Sequence, residues 1–187
     1  MLTDAGNPLY ITSYIPCIES NTRLLTPSGY KNIKELSVDD YVSTIGIDEV
    51  NRQSKIKHIN IFQVECDEET LPYLIPQPDS PDKTIKLSKR HLIFNNINKD
   101  NGKGNNIKWI HPFLANKYLQ DTKDSYPDNK IEYYHVRLEN YTTDHLILEG
   151  GLIVESLAED TPESAAEYQK RITDNYKIEN GFAYFDM

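Results

Sequence analysis

Short runs of β-branched and aromatic residues, separated by turn-forming residues, constrain the fold of this chain more than any other feature. Residues 22–26 are one such run, Pro-Ser-Gly at 27–29 favours a tight turn, and the chain returns over 30–33. These residues are therefore predicted to form a β-hairpin. The same pattern predicts strands at 41–45, 56–66, 84–87, 131–138, 145–148 and 151–155.

The remaining segments favour loops and a little helix. A proline-rich stretch at 76–82 is predicted to be a loop, and an Asn- and Gly-rich stretch at 95–106 a flexible insertion. Residues 112–119 suit one or two helical turns. Residues 162–174 suit a terminal helix, because a threonine N-cap and a proline at the first helical position precede an apolar face. The chain is therefore predicted to be all-β with a short C-terminal helix.

Composition excludes several classes of function. The 187 residues carry a net charge of −9, so no overall basic field exists to attract nucleic acid or anionic lipid. No apolar run approaches the eighteen or so residues that a membrane-spanning helix needs. The N-terminus has neither the basic nor the apolar region of a signal peptide. We therefore expect no nucleic-acid partner and no membrane span.

The two cysteines, Cys17 and Cys66, are too few for a disulfide framework. A reducing intracellular compartment is the default for such a chain, and both thiols stay free there. Cys17 begins the most informative stretch, which runs from Cys-Ile-Glu-Ser-Asn-Thr to Gly46. Seventy-four positions after Cys17, Ser-Lys-Arg-His ends at His91. Further blocks lie at 133–136 and 145–156.

These four blocks, in this order, resemble the Hint domain shared by hedgehog autoprocessing domains and inteins. The resemblance covers about residues 17–157 and implies a compact, pseudo-twofold β domain. It divides the chain into a leader at 1–16, a Hint domain at 17–157 and a helical tail at 158–187. Asp39-Asp40 stands where the family usually has Gly-Asp, a departure that concerns only a turn.

The resemblance implies chemistry at the peptide bond between Pro16 and Cys17. The Cys17 thiol would attack the preceding carbonyl, giving a thioester by an N–S acyl shift. His91 would hold the scissile amide and protonate its nitrogen, since a histidine suits acid catalysis near neutrality. Ser88, in place of the family's Thr, would hydrogen-bond the same peptide. Water, a thiol, a sterol or an amine would then resolve the thioester. No cofactor and no metal is implied.

The C-terminal blocks depart from inteins. Glu155-Ser156 stands where inteins have His-Asn, and serine cannot cyclise to a succinimide, so full splicing is not expected. The chain is therefore identified as a hedgehog-like, bacterial or viral variant of the family. His145 matches a late histidine of inteins and is as compatible with a structural role as with an auxiliary one. His135 replaces an Asp often found at its position and receives no role.

An acidic segment between the Cys and His blocks leaves other roles open. Hedgehog domains carry an activating Asp in this region, so Glu65 or Asp67 is a candidate auxiliary residue. A solvated acidic loop is the alternative. Three alternatives stay open for Cys66: it has no part in the reaction, its thiol intercepts the thioester, or it forms a regulatory disulfide with Cys17. Pro16 argues for slow or triggered cleavage, because its ring crowds the scissile carbonyl.

The leading hypothesis is a self-cleaving, single-turnover autoprocessing domain whose substrate is its own leader. One alternative is a degenerate Hint fold kept for structure or binding, and the appearance of a fragment starting at Cys17 separates the two. The other is a cysteine hydrolase acting in trans, which requires an open cleft beside Cys17.

Overall fold

The structure is a computed structural model that describes residues 16–46, 49–95, 108–110, 118–141, 143–156, 176–179 and 182–185. These residues form β-strands joined by turns and three short 3-10 helices. The strands are β1 (Ile18–Glu19), β2 (Arg23–Thr26), β3 (Gly29–Asn32), β4 (Tyr41–Gly46), β5 (Asn51–Glu65), β6 (Tyr73–Gln77), β7 (Ser80–Leu87), β8 (Ile93–Asn95), β9 (Lys108–Ile110), β10 (Leu119–Gln120), β11 (Lys130–Leu138), β12 (Asp144–Leu148), β13 (Leu152–Val154), β14 (Tyr176–Glu179) and β15 (Phe182–Phe185). The 3-10 helices span Ile33–Glu35, Lys123–Ser125 and Glu149–Gly151.

The long strand β5 joins the two halves of the sheet. Its first part, from Asn51 to Lys55, pairs with β4, and its second part, from Ile56 to Glu65, pairs with β11. The strand order is β10-β6-β7-β1-β11-β5-β4-β12-β13-β8-β9-β15-β14, with β2 pairing with β12 and β3. The two-residue strand β1 therefore lies between β7 and β11, far from either edge.

Two groups of buried apolar side chains hold the strands together. The larger includes Ile18, Val42, Ile56, Leu146 and Val154 and spans both halves of the sheet. The smaller contains Cys17, Val64, Cys66, Leu71, Ile131 and Tyr133. Burying such side chains stabilises the fold by roughly 1.5–3 kcal/mol each, before the entropy of ordering is subtracted. The smaller cluster surrounds the first residue of the predicted Hint domain.

The predicted strands are confirmed, and the hairpin at 22–33 consists of β2 and β3. The predicted loop at 76–82 is wrong in part, because β6 and β7 form a hairpin across it. Proline is tolerated there because the register shifts after Pro76, and β10 pairs only with Tyr73 and Leu74 of β6. On the β10 side of β6, no strand pairs with Pro76 and none needs the backbone amide that it lacks.

Several predictions concern residues outside those described. The terminal helix at 162–174 lies outside the described residues, as do the insertion at 95–106 except for residue 95, which is in β8, and the helical turns at 112–119 except for residues 118 and 119, the latter in β10. Within 158–187 the structure describes the hairpin of β14 and β15, which the sequence did not predict. Phe185 of β15 pairs with Trp109 of β9. In the part of the chain that the structure describes, no helix is long and apolar enough to cross a membrane.

Candidate active site

The register of β1 places two polar residues on either side of Cys17. Ile18 pairs with Leu87 of β7 and with Tyr134 of β11, both antiparallel. In antiparallel pairing, one step back along β1 is one step forward along each neighbour. Ser88 therefore lies opposite Cys17 on one side, and His135 lies opposite Cys17 on the other.

Ser88 holds the nitrogen side of the Pro16–Cys17 bond. The Cys17 amide N–H donates to Ser88 Oγ at 2.8 Å. The Ser88 amide N–H donates in return to the Cys17 carbonyl oxygen at 3.0 Å. Both residues are buried. Ser88 is therefore positioned to orient the scissile nitrogen, the contact that the family resemblance implied.

His91 follows Ser88 by one tight turn, closed by a hydrogen bond from the His91 amide to the Ser88 carbonyl at 3.1 Å. Its ring Nε2 lies 3.2 Å from the Glu155 carbonyl oxygen. A carbonyl only accepts, so Nε2 carries the hydrogen of this bond. Burial lowers the pKa of His91 from 6.5 to about 4, although contacts with the backbone of Cys17 and Glu155 oppose this.

The lowered pKa bears on the acid role that the family resemblance implies for His91. At neutral pH the ring is uncharged, and Nδ1 carries a lone pair that has no hydrogen-bond partner among the described residues. A neutral imidazole must accept a proton before it can donate one. At neutral pH the His91 ring is therefore suited to accept a proton at Nδ1.

His135 holds the carbonyl side of the same bond. Its Nδ1 lies 2.7 Å from the Pro16 carbonyl oxygen, and both residues are buried. Burial lowers the pKa of His135 to about 4, with the Pro16 contact opposing. Sequence reasoning assigned this residue no role. The one available signal is a histidine in the otherwise apolar run Tyr-Tyr-His-Val, because such a residue usually needs a buried partner.

The Cys17 side chain is fully buried in the smaller apolar cluster. Burial raises the pKa of the Cys17 thiol well above its usual range. The resting side chain is therefore a neutral thiol, and attack requires a nearby base. Cys66 belongs to the same cluster, is also a free thiol, and has a pKa that burial raises.

The acidic segment forms a capped turn at the end of β5. Asp67 Oδ1 accepts the amide N–H groups of Glu69 and Thr70, each at 2.8 Å. The Glu65 side chain is exposed, while its carbonyl oxygen accepts the Thr70 hydroxyl. These contacts give Asp67 a clear structural function. An auxiliary role for Glu65 or Asp67 stays a prediction.

The C-terminal candidates lie in β12 and just after β13. His145 is buried opposite Ile45 of β4, and burial lowers its pKa to about 4. Ser156 donates its hydroxyl to the Asp144 carbonyl at 2.8 Å. Glu155 accepts the Leu92 amide at its Oε1 at 2.9 Å. Residues 155 and 156 are thus anchored beside the His91 turn.

Ser88 and His135 contact the Pro16–Cys17 peptide bond from its two sides, and His91 contacts the backbone of Cys17. In the described ranges, no group of three or more His, Cys, Asp or Glu side chains is placed to hold a metal ion. The side chains of Cys17, Ser88, His91 and His135 supply a thiol, a hydroxyl and two imidazoles.

Comparisons with known proteins find no matching family model and no matching curated protein. Solved structures do match. A bacterial intein-like domain from Clostridium thermocellum is 14% identical, with 74% of this chain and 97% of that one covered and a TM-score of 0.51. An Ssp DnaB mini-intein variant is 13% identical, with 79% and 98% covered and a TM-score of 0.52. A DnaB intein from Synechocystis sp. PCC 6803 is 13% identical, with 76% and 99% covered and a TM-score of 0.50.

These neighbours are inteins or intein-like domains, and at such low identity they show the fold alone. The narrower assignment to a hedgehog-like variant stays a prediction. The predicted fold class is confirmed: this chain has the all-β fold of intein and Hint domains.

Proposed function

We propose that this chain is a self-cleaving autoprocessing domain that breaks its own Pro16–Cys17 peptide bond. The observation that carries the proposal is a buried bond held on both sides. The Cys17 N–H donates to Ser88 Oγ, and the Pro16 carbonyl oxygen lies 2.7 Å from a buried imidazole nitrogen. An ordinary peptide bond between a leader and a domain needs neither contact.

In the proposed first step, one proton is transferred and a C–S bond replaces the C–N bond. His91 Nδ1 takes the proton from the Cys17 thiol, and the sulfur attacks the Pro16 carbonyl carbon. The C–S bond forms, the C–N bond breaks, and His91 returns the proton to the departing nitrogen. Ser88 orients that nitrogen while it changes from amide to amine. The product is a thioester at Pro16 with a free amine at Cys17.

A second nucleophile resolves the thioester. Water, a thiol or an amine adds to the Pro16 carbonyl carbon, releases residues 1–16 and restores the Cys17 thiol. Glu155-Ser156 provides no asparagine for a splicing step, so the proposal ends at cleavage. The substrate is the chain's own leader, and the reaction is a single turnover.

The resting state favours slow or triggered cleavage. The thiol is neutral, the imidazole that receives its proton binds protons weakly, and the Pro16 ring crowds the carbonyl. Access from outside is also limited, because Cys17 has no exposed surface. That burial argues against a hydrolase acting in trans, which would need an open cleft beside the nucleophile.

Intact-mass analysis of the full chain tests the proposal. Incubation with dithiothreitol or hydroxylamine should release residues 1–16 and leave a fragment starting at Cys17. Cys17→Ala should prevent release, whereas Cys66→Ala, which alters the other buried thiol, should leave it unchanged. Equal cleavage in wild type and Cys17→Ala would indicate a contaminating protease. A wild-type chain that stays intact would favour the degenerate, non-cleaving module.

A further inference from the structure

We infer that His135 is a catalytic residue of this reaction, one whose Nδ1–H donates to the Pro16 carbonyl oxygen and stabilises the negative charge that forms there when Cys17 attacks. The inference rests on the proposed function, because it needs a nucleophile at that carbonyl. It adds an oxyanion-binding group to the amide contact of Ser88 and to the proton transfer proposed for His91.

Geometry sets the protonation pattern of the ring. The Pro16 oxygen can only accept, so a bond at 2.7 Å requires the hydrogen on Nδ1. The neutral ring then leaves Nε2 unprotonated, and Nε2 is buried without a hydrogen-bond partner among the described residues. The contact distance falls within the range expected for a donor to an oxyanion.

The neutral state of the ring suits this role. Burial keeps the pKa of His135 at about 4, so near neutrality the imidazole is uncharged, and a neutral imidazole can polarise a carbonyl. When the sulfur adds, the oxygen gains negative charge and the existing bond becomes charge-assisted and stronger. Both the His135 ring and Pro16 are buried, and burial strengthens the effect further. The stabilisation therefore appears mainly in the transition state, where it accelerates the reaction.

The position is otherwise a poor place for histidine. Tyr133, on the same face of β11, belongs to the smaller apolar cluster, and an orphaned buried nitrogen is a cost that an aliphatic side chain would avoid. An aspartate, which the family resemblance favours at this position, would bring an acceptor and a negative charge to the developing oxyanion. A hydrogen-bond donor at residue 135 fits the carbonyl, and a carboxylate does not.

The kinetic test compares three variants in the full chain, with dithiothreitol raised until the cleavage rate no longer depends on it. His135→Leu removes the donor and should slow cleavage by about 100-fold or more, as for other oxyanion donors. His135→Asn keeps an N–H near the Nδ1 position and should stay within about tenfold of wild type. His58→Asn is the matched control: it alters an exposed histidine on the neighbouring strand and should leave the rate unchanged.

A second measurement reports the hydrogen bond without any reaction. In a Cys17→Ala background, position 17 is the only alanine that follows a proline, so labelling proline carbonyl carbon and alanine nitrogen isolates the Pro16 carbonyl by NMR. That carbonyl resonance should move upfield on adding His135→Leu and much less on adding His135→Asn. Thermal unfolding of each variant checks that it remains folded.

The outcomes separate the two proposals. Slow cleavage and an upfield shift in the leucine variant, both restored by asparagine, support the inference. A leucine variant that cleaves at the wild-type rate overturns it, as does an unchanged carbonyl resonance. Equal slowing in both variants with an unchanged resonance assigns His135 a purely structural role. A wild-type chain that never cleaves overturns the proposed function, and the inference with it.

Discussion

The imidazole of His91 and the carbonyl oxygen of Glu155 lie 3.2 Å apart, although 64 positions separate them in the chain. The same segment makes two further contacts with Leu92: the Leu92 amide donates to Glu155 Oε1 at 2.9 Å, and the Glu155 amide donates to the Leu92 carbonyl at 3.1 Å. Residues that follow β13 therefore hold the proposed proton carrier beside the scissile bond.

Replacing Glu155 by Ala should lower both stability and cleavage rate. The buried Leu92 amide would lose its acceptor, which costs about 1–3 kcal/mol, and the turn carrying His91 would loosen. Urea unfolding measures the first effect and thiol-induced cleavage the second. Glu155→Gln keeps an acceptor oxygen and should lose less of both. Equal losses in the two variants would show that the charge of Glu155, and not its hydrogen bond, is what matters.

Replacing Ser88 by Ala should slow cleavage. The Cys17 amide would remain buried with no hydroxyl to accept its hydrogen, and the scissile nitrogen would lose its orienting partner. The loss of this bond is worth about 1–3 kcal/mol, so cleavage should slow by roughly tenfold to a hundredfold if the bond is retained in the transition state. Ser88→Thr keeps the hydroxyl and restricts its rotamer, so its rate should match or exceed that of wild type. A wild-type rate in Ser88→Ala would remove Ser88 from the mechanism.

Replacing Pro16 by Gly should speed cleavage. Glycine removes the ring that crowds the carbonyl, although its added backbone freedom costs about 0.5–1 kcal/mol of preorganisation. Net relief of about 1.4 kcal/mol would give a tenfold shorter half-life at the same thiol concentration and pH. The comparison is the half-life of intact Pro16→Gly beside wild type. An unchanged or longer half-life would show that Pro16 does not limit the cleavage rate. The burial of the Cys17 thiol would then be the next feature to test.

Stability should fall on mild acidification, because His91, His135 and His145 each have a pKa of about 4 in the fold. Burial is the main cause in all three. Their unfolded pKa is about 6.5, so between pH 6.5 and 4 the unfolded chain binds more protons and gains stability as pH falls. The free energy of unfolding should therefore drop by up to about 1.4 kcal/mol per pH unit for each histidine.

Urea unfolding at several pH values between 4 and 7 measures this slope. His145→Gln should reduce it by about one third, because one of three similar histidines no longer titrates. A slope that does not respond to His145→Gln would mean that His145 is protonated inside the fold.

Asp121, whose pKa is held low by Lys86, Ser125 and Thr122 against the effect of burial, contributes in the same direction at lower pH.

Local sequence pattern was sufficient for most of the strands. Turn chemistry at 27–29 and β-branched runs such as 131–138 depend on neighbouring residues only, and the hairpin and β11 form where they were predicted. The sequence pattern wrongly predicted a loop over the whole of 76–82. Proline usually interrupts a strand, but it is compatible with one where no pairing strand needs its amide. That condition depends on the neighbouring strand and is not written in the segment itself.

The sequence by itself identified Cys17, Ser88 and His91 as candidates for the nucleophile and its assistants, since they lie in recognisable local blocks. The sequence did not reveal the contact between His135 and Pro16. The two residues are 119 positions apart, and His135 reaches the Pro16 carbonyl only through the pairing of β1 with β11. Strand pairing over such distances is decided by the packing of the whole core, which no local pattern records. Burial is decided in the same way, and it is the main cause of the raised pKa of the Cys17 thiol and of the lowered pKa values of His91 and His135.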